Sequence, residues 1–103
     1  MPRASGDDLD PRLLRLAPDD NVAVAKRAIE AGAALMIAGR RVAAASTIPL
    51  GHKVALRAIA AGEKVVKYGA PIGSAAVAIA PGEHVHLHNL KSDYLPSFGV
   101  EAP

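Results

Sequence analysis

The apolar residues of this chain fall in short runs that alternate with polar positions and are cut by Gly and Pro. Val22-Ala23-Val24, Lys53-Val54-Ala55-Leu56 and Lys64-Val65-Val66-Lys67-Tyr68 are of this kind. Alongside them a pattern recurs, in Ala28-Ile29-Glu30-Ala31-Gly32-Ala33-Ala34-Leu35, in Ala58-Ile59-Ala60-Ala61-Gly62-Glu63-Lys64-Val65, and in Ala78-Ile79-Ala80-Pro81-Gly82-Glu83-His84-Val85. Each copy reads Ala-Ile, two residues, Gly, two residues, then an aliphatic. A glycine so placed marks a tight turn needing positive φ, and Pro81 before Gly82 suits a type II turn. Ile48-Pro49-Leu50-Gly51 and Gly69-Ala70-Pro71-Ile72-Gly73 add two more loops. About seven short strands broken by Gly and Pro predict an all-β domain of antiparallel strands and Gly/Pro turns.

The segment Val22 to Ile37 competes with this picture. It is Ala-rich, Asp20 or Asn21 could cap a helix there, and propensity alone favours one. The recurring turn outweighs propensity, so the segment is assigned to strands. The globular domain is placed at residues 20–91. Residues 1–19, rich in Asp, Pro and Arg, are read as a flexible lead-in containing a Leu13-Leu14-Arg15-Leu16 patch. Residues 92–103 are read as an extended C-terminal tail whose Tyr94, Leu95 and Phe98 could dock on a partner.

Composition changes the picture in one respect. Half of the 103 residues are hydrophobic, but there are only one Phe, two Tyr and no Trp. A core of Ala, Val, Ile and Leu in a chain this short is thin. It predicts marginal stability alone, or a face buried in an assembly, with a second copy or with a different subunit. The absence of cysteine excludes disulfides and thiolate ligands and fits a reducing compartment. No apolar stretch follows the first basic residue as in a signal peptide, and none approaches membrane-spanning length. The expectation is a cytoplasmic protein without membrane partners. Net charge is +2 and basic residues predominate after residue 20, which suits a small anion. Without a dense basic run or an aromatic platform, nucleic acid is not expected as a partner.

Candidate chemistry gathers on the histidines. There are four, His52, His84, His86 and His88, and three of them alternate in Gly82-Glu83-His84-Val85-His86-Leu87-His88-Asn89-Leu90. On a strand these three share one face, while Val85 and Leu87 point into the core. Imidazoles two apart on a strand can ligate one divalent metal, with His52 the only histidine left to join them. His84, beside the turn, is expected to be solvated. Gly51-His52-Lys53 follows a Pro-containing loop and stands at a rim. Lys67-Tyr68-Gly69 could present a cation and a hydroxyl to an anion. Spacing alone assigns either group no more than a solvated surface or a strand end. The body holds no convincing carboxylate pair, Ser-His-Asp set or phosphate loop, so this chain is not expected to run a reaction alone.

Taken in order, Asp20-Asn21-Val22-Ala23-Val24-Ala25, Ile48-Pro49-Leu50-Gly51-His52-Lys53-Val54-Ala55-Leu56, Val66-Lys67-Tyr68-Gly69-Ala70-Pro71-Ile72-Gly73 and the His-rich segment ending at Asn89-Leu90 resemble the N-terminal SAF domain of the altronate/galactarate dehydratase family. The resemblance implies a small β-clip domain. It implies a sugar-acid hydro-lyase, dependent on a divalent metal such as Fe2+ or Mn2+, that is shared with a large catalytic subunit. Sulfolactate sulfo-lyase, with a small subunit of this type, is similar and makes a C–S lyase the alternative. The candidate residues it implies are His52, Lys53 and Tyr68 for catalysis, Lys53, Tyr68 and Asn89 for the substrate, and His52, His86 and His88 for the metal. A sugar-acid-binding or assembly module without catalysis is the remaining reading.

Overall fold

The computed structural model describes residues 9–93. Nine short strands and no helix make up the described part: β1 (Leu13–Leu14), β2 (Val22–Ala25), β3 (Ala34–Ile37), β4 (Arg40–Ala43), β5 (Lys53–Ala55), β6 (Lys64–Lys67), β7 (Ala70–Ala75), β8 (His84–Val85) and β9 (Leu90–Lys91). They form a four-stranded sheet in the order β1-β2-β5-β8, a β3-β4 hairpin, and a three-stranded sheet β6-β7-β9, with every pairing antiparallel. The all-β expectation holds, and the Ala-rich segment from Val22 is β-structure. Its apolar residues find partners on both faces of a sheet, which a lone helical propensity cannot offset. No helix among the described residues is long and apolar enough to cross a membrane.

The recurring turn organises the fold, and the structure shows four copies of it. Thr47-Ile48-Pro49-Leu50-Gly51-His52-Lys53-Val54 is the fourth, disguised in sequence because its first residue is not Ala. In each copy the isoleucine is buried, and the four pair as Ile29 with Ile48 and Ile59 with Ile79. Gly32, Gly51, Gly62 and Gly82 all have φ between 82° and 86°. The residue after each glycine donates to the carbonyl three residues back, at 2.9–3.1 Å. The closing aliphatics Leu35, Val54, Val65 and Val85 are all fully buried.

Two cores result, one on each face of the four-stranded sheet. Ala23 and Val54 join Leu13, Ile29, Leu35 and Ile48 on one side. Their chain neighbours Val22 and Ala55 join Val65, Ile79 and Val85 on the other. This is the period-two alternation of a strand covered on both faces. Asn21 ties the second core to β6: its amide donates to the Lys64 carbonyl (2.9 Å) and accepts from the Val66 amide (2.8 Å).

Two expectations need correction. Residues 9–19 are part of the fold rather than a flexible lead-in. β1 pairs with β2, Leu13 is in the first core and Leu9 bridges Ile37. The anchor is Asp10, whose buried carboxylate accepts hydrogen bonds from the Arg12 guanidinium (2.8 Å) and the Met36 amide (3.0 Å). Leu87 is 82% exposed instead of buried, because the strand stops at Val85 and the chain turns. Residues 1–8 and the tail expectations for Tyr94, Leu95 and Phe98 lie outside the described residues.

Candidate metal and substrate site

The histidines meet where β5 and β8 pair. Lys53 lies opposite Val85 and Val54 opposite His84, and one more step sets His52 beside His86, on the face shared by Val54 and His84. The rings of His52 and His86 stack with centroids 4.4 Å apart. Nδ1 of His52 and Nε2 of His84 are 2.9 Å apart, a hydrogen bond in which one ring donates and the other accepts. His52, His84 and His86 each offer a nitrogen within 4.8 Å of the other two. The His88 ring packs on His84 at 5.4 Å but stands outside this group, on the exposed side of the turn. His84, expected to be solvated, is therefore half-buried inside the cluster. The signal for it was its register with Val54, which the sequence shows only once β5 and β8 are known to pair.

Asn89 makes the geometry of this segment. Its side chain is 2% exposed, accepts from the His86 amide (2.9 Å) and donates to the His84 carbonyl (2.9 Å). The amides of Asn89 and Leu90 both donate to the His86 carbonyl, closing the turn. Expected to touch substrate, Asn89 is instead engaged with the backbone of two histidines and has almost no exposed surface to offer.

The surroundings disfavour the charged form of two of these imidazoles, His84 and His86. The proton affinity of His84 is lowered by burial and then by its neighbours His52, His88 and His86 and by Lys53. That of His86 is lowered by desolvation, then by His52 and Lys53. Lys53 is half-buried, and its ammonium is made more acidic by burial and by nearby Lys67. Neutral imidazoles can ligate metal or take a proton, and an ammonium group attracts a carboxylate.

Tyr68 is not one of the clustered rings. It occupies the β6–β7 hairpin tip with φ 58°, and its side chain is 75% exposed. Its amide and that of Gly69 donate to Asp20 at 2.7 and 2.8 Å. The Lys-Tyr-Gly motif thus has a structural function, as the clasp for a buried carboxylate. Two hollows of about 280 and 510 Å³ lie along Leu56 and Arg57, and none of the expected site residues lines them.

A family model described as the altronate/galactarate dehydratase SAF domain matches residues 11–93. The chain belongs to that family. The match takes in β1 and every later strand of this SAF domain, in agreement with the role of Leu13 and against a boundary at residue 20. Altronate dehydratase of Bacillus subtilis is 40% identical over 80 residues, covering 78% of the SAF chain and 16% of that protein. Altronate dehydratase of Escherichia coli is 43% identical over 74 residues, 72% of the chain and 15% of that protein. The (2R)-sulfolactate sulfo-lyase subunit alpha of Chromohalobacter salexigens is 51% identical over 45 residues, 44% of the chain and 48% of that subunit. This SAF domain therefore spans about one sixth of the dehydratases and about half of that sulfo-lyase subunit.

Proposed function

We propose that this SAF domain is the non-autonomous small part of a lyase that eliminates water from a sugar acid, in a site completed by a large catalytic subunit. The observation that carries the reading is the convergence of His52, His84 and His86, with half-buried Lys53 next to His52 in the chain. Elimination next to a carboxylate needs a base for the α-proton, charge stabilisation for the enolate-like intermediate, and assistance at the leaving group. Lys53 binds the substrate carboxylate, with Lys67 adding to the field that attracts it. His52, in contact with both His84 and His86, holds or moves a proton at its ring nitrogen. Tyr68, exposed at its hairpin tip, is the candidate donor to a substrate hydroxyl. The donor set suits a divalent cation, and such an ion, when bound, would supply Lewis-acid assistance to a hydroxyl leaving group.

A C–S lyase is the second reading. It is supported by relatives named as the alpha subunit of sulfolactate sulfo-lyase, one 51% and one 48% identical over the matched residues. The experiment is reconstitution. The purified chain alone is expected to turn over neither altronate nor sulfolactate, and addition of a family large subunit is expected to give activity with one of them. Turnover by the chain alone would overturn the proposal, and so would a reconstituted complex whose activity is unchanged when the small chain is left out.

A further inference from the structure

We infer that His52, His84 and His86 form a complete three-imidazole site for a first-row divalent cation within this chain alone, with Asn89 as its positioning residue. This deepens the lyase reading and borrows from it only the purpose of the ion. It departs from the expected set of His52, His86 and His88, and from a metal whose ligands are shared with another subunit.

The first argument is convergence. The three donors come from the residue just before β5, from β8 and from the turn that follows, and their nitrogens lie within 4.8 Å of one another. Two imidazole nitrogens on one tetrahedral ion stand ~3.3 Å apart, given bonds of about 2.0–2.1 Å. The His52–His84 nitrogens, at 2.9 Å, need only a small opening to admit the ion in place of the shared proton. His86, whose ring stacks on His52, offers its nitrogen within 4.8 Å of the other two.

The second argument is donor chemistry. The group contains imidazole only, without a carboxylate. Nitrogen donors of this kind select Fe2+, Co2+, Ni2+ or Zn2+ over Mg2+ and Ca2+, which demand oxygen. Three protein ligands at a half-buried surface leave positions open for exchangeable ligands, as catalytic sites require and closed structural sites do not.

The third argument is preorganisation. Asn89 is buried, and each polar atom of its amide grips the backbone of a different ligand residue, His84 and His86. It stops the strand after Val85 and fixes the angle at which His86 leaves it. Groups that orient ligands in this way typically contribute 10–100-fold to metal affinity.

The test uses the metal-stripped full chain titrated with Co2+, followed by visible absorption and by calorimetry, without substrate or large subunit. One Co2+ per chain is expected. His84→Ala is expected to weaken binding by roughly a hundredfold or more, and Asn89→Ala by about 10–100-fold in a chain that circular dichroism shows to be folded. His88→Ala is expected to change affinity less than about threefold. If Asn89→Ala does not fold, Asn89→Ser takes its place with the same expected direction. Failure of the wild-type chain to bind Co2+ overturns the site. Equal losses in His84→Ala and His88→Ala overturn the ligand set, and wild-type affinity in a folded Asn89 variant removes the positioning role. Because no turnover is read, these outcomes stay separate from failure of the lyase reading, which reconstitution alone decides.

Discussion

Ala60–Val65 and Ala80–Val85 are the same turn put to two uses. Both have glycine third in the turn, a glutamate whose carboxylate accepts from the amide of Ala60 or Ala80, and a valine fully buried in the second core. Lys64 and His84 hold equivalent places before that valine. Lys64 is exposed and pairs with Asp93 at 2.7 Å, whereas His84 is turned against His52. Beyond the valine the paths part. β6 runs on to a hairpin tip clasped by the carboxylate of Asp20, while β8 stops at once and its turn is clasped by the neutral amide of Asn89. The turn builds the fold. The residue before the buried valine, and whatever arrests the strand after it, decide whether chemistry gathers there.

The largest expected effect separates Lys64 from His84 in the assembled enzyme. His84→Ala, like His52→Ala, should lower turnover by roughly a hundredfold or more if the cluster handles a proton or a metal. Lys64→Ala should leave turnover within about twofold, because its partner is a surface carboxylate. Steady-state rates of the reconstituted complex decide this, and equal losses would erase the distinction between the two turns.

The comparison also explains what the sequence could reveal. The repeated glycine and the buried aliphatic three residues after it depend on local sterics and burial alone, so three copies were legible, and strands followed. The fourth, at Ile48–Val54, was masked by Thr47, Pro49 and Leu50, although Ile48 and Gly51 keep their places. The histidine cluster was half legible. Alternation put His84, His86 and His88 on one face only if the strand continued, and it does not: Asn89 folds the chain back and leaves Leu87 exposed. Nothing local announces that a buried asparagine will clasp its own preceding turn. Membership of β1 in the sheet was hidden for a similar reason, since Asp10 becomes an anchor only when Arg12 and the Met36 amide both bond to it.

Truncating the two valines sharpens the contrast. Val65→Ala and Val85→Ala should each cost about 2–3 kcal/mol, since both empty the same core. Urea unfolding should show similar losses. Only Val85→Ala should also reduce cobalt affinity, because Val85 lies between two ligand residues and in register with Lys53. Loss of affinity in both variants would make the metal effect a mere consequence of instability.

The glycines differ by what lies above them. Any side chain at Gly62 or Gly82 meets the strain of a φ near 85° or 82°, about 1–2 kcal/mol. A Cβ at Gly62 would meet nothing within 4 Å, but at Gly82 it would lie 2.6 Å from Cγ1 of Val42 and 3.2 Å from the Ala43 carbonyl. Gly82→Ala should therefore be the more destabilising of the two by roughly a further 1 kcal/mol or more. Equal thermal shifts would mean that the β3-β4 hairpin yields freely.

Acid should loosen one clasp and leave the other. Burial works to raise the Asp20 carboxyl, but hydrogen bonds from the amides of Gly69, Tyr68, Ala17 and Leu16 prevail and hold it below its ordinary value. The stability it adds is then full above the unfolded value of about 4 and is lost as pH falls through the lower folded value. Asn89 does not titrate. Asp20→Asn should cost about 1.5 kcal/mol at neutral pH, and its urea midpoint should converge on that of the wild type as pH falls below about 4. Curves that stay parallel down to pH 2 would show that the charge of Asp20 adds nothing.

The smallest effect concerns the other end of the comparison, the ion pair that Lys64 makes where His84 makes a site. Lys64 Nζ lies 2.7 Å from Asp93, whose carboxylate also accepts from the Ser74 hydroxyl at 2.9 and 3.0 Å. The lysine side chain is well exposed, so water competes for the ammonium and salt screens the attraction. Lys64→Gln should lower stability by less than about 1 kcal/mol, and 1 M salt should remove most of that difference. The preceding turn should not change, because Glu63 keeps its bonds to the Ala60 amide and to Arg57. A loss well above 1 kcal/mol that survives high salt would show that Lys64 is built into the core edge as firmly as His84 is built into its cluster, and that the two turns are less different than their side chains suggest.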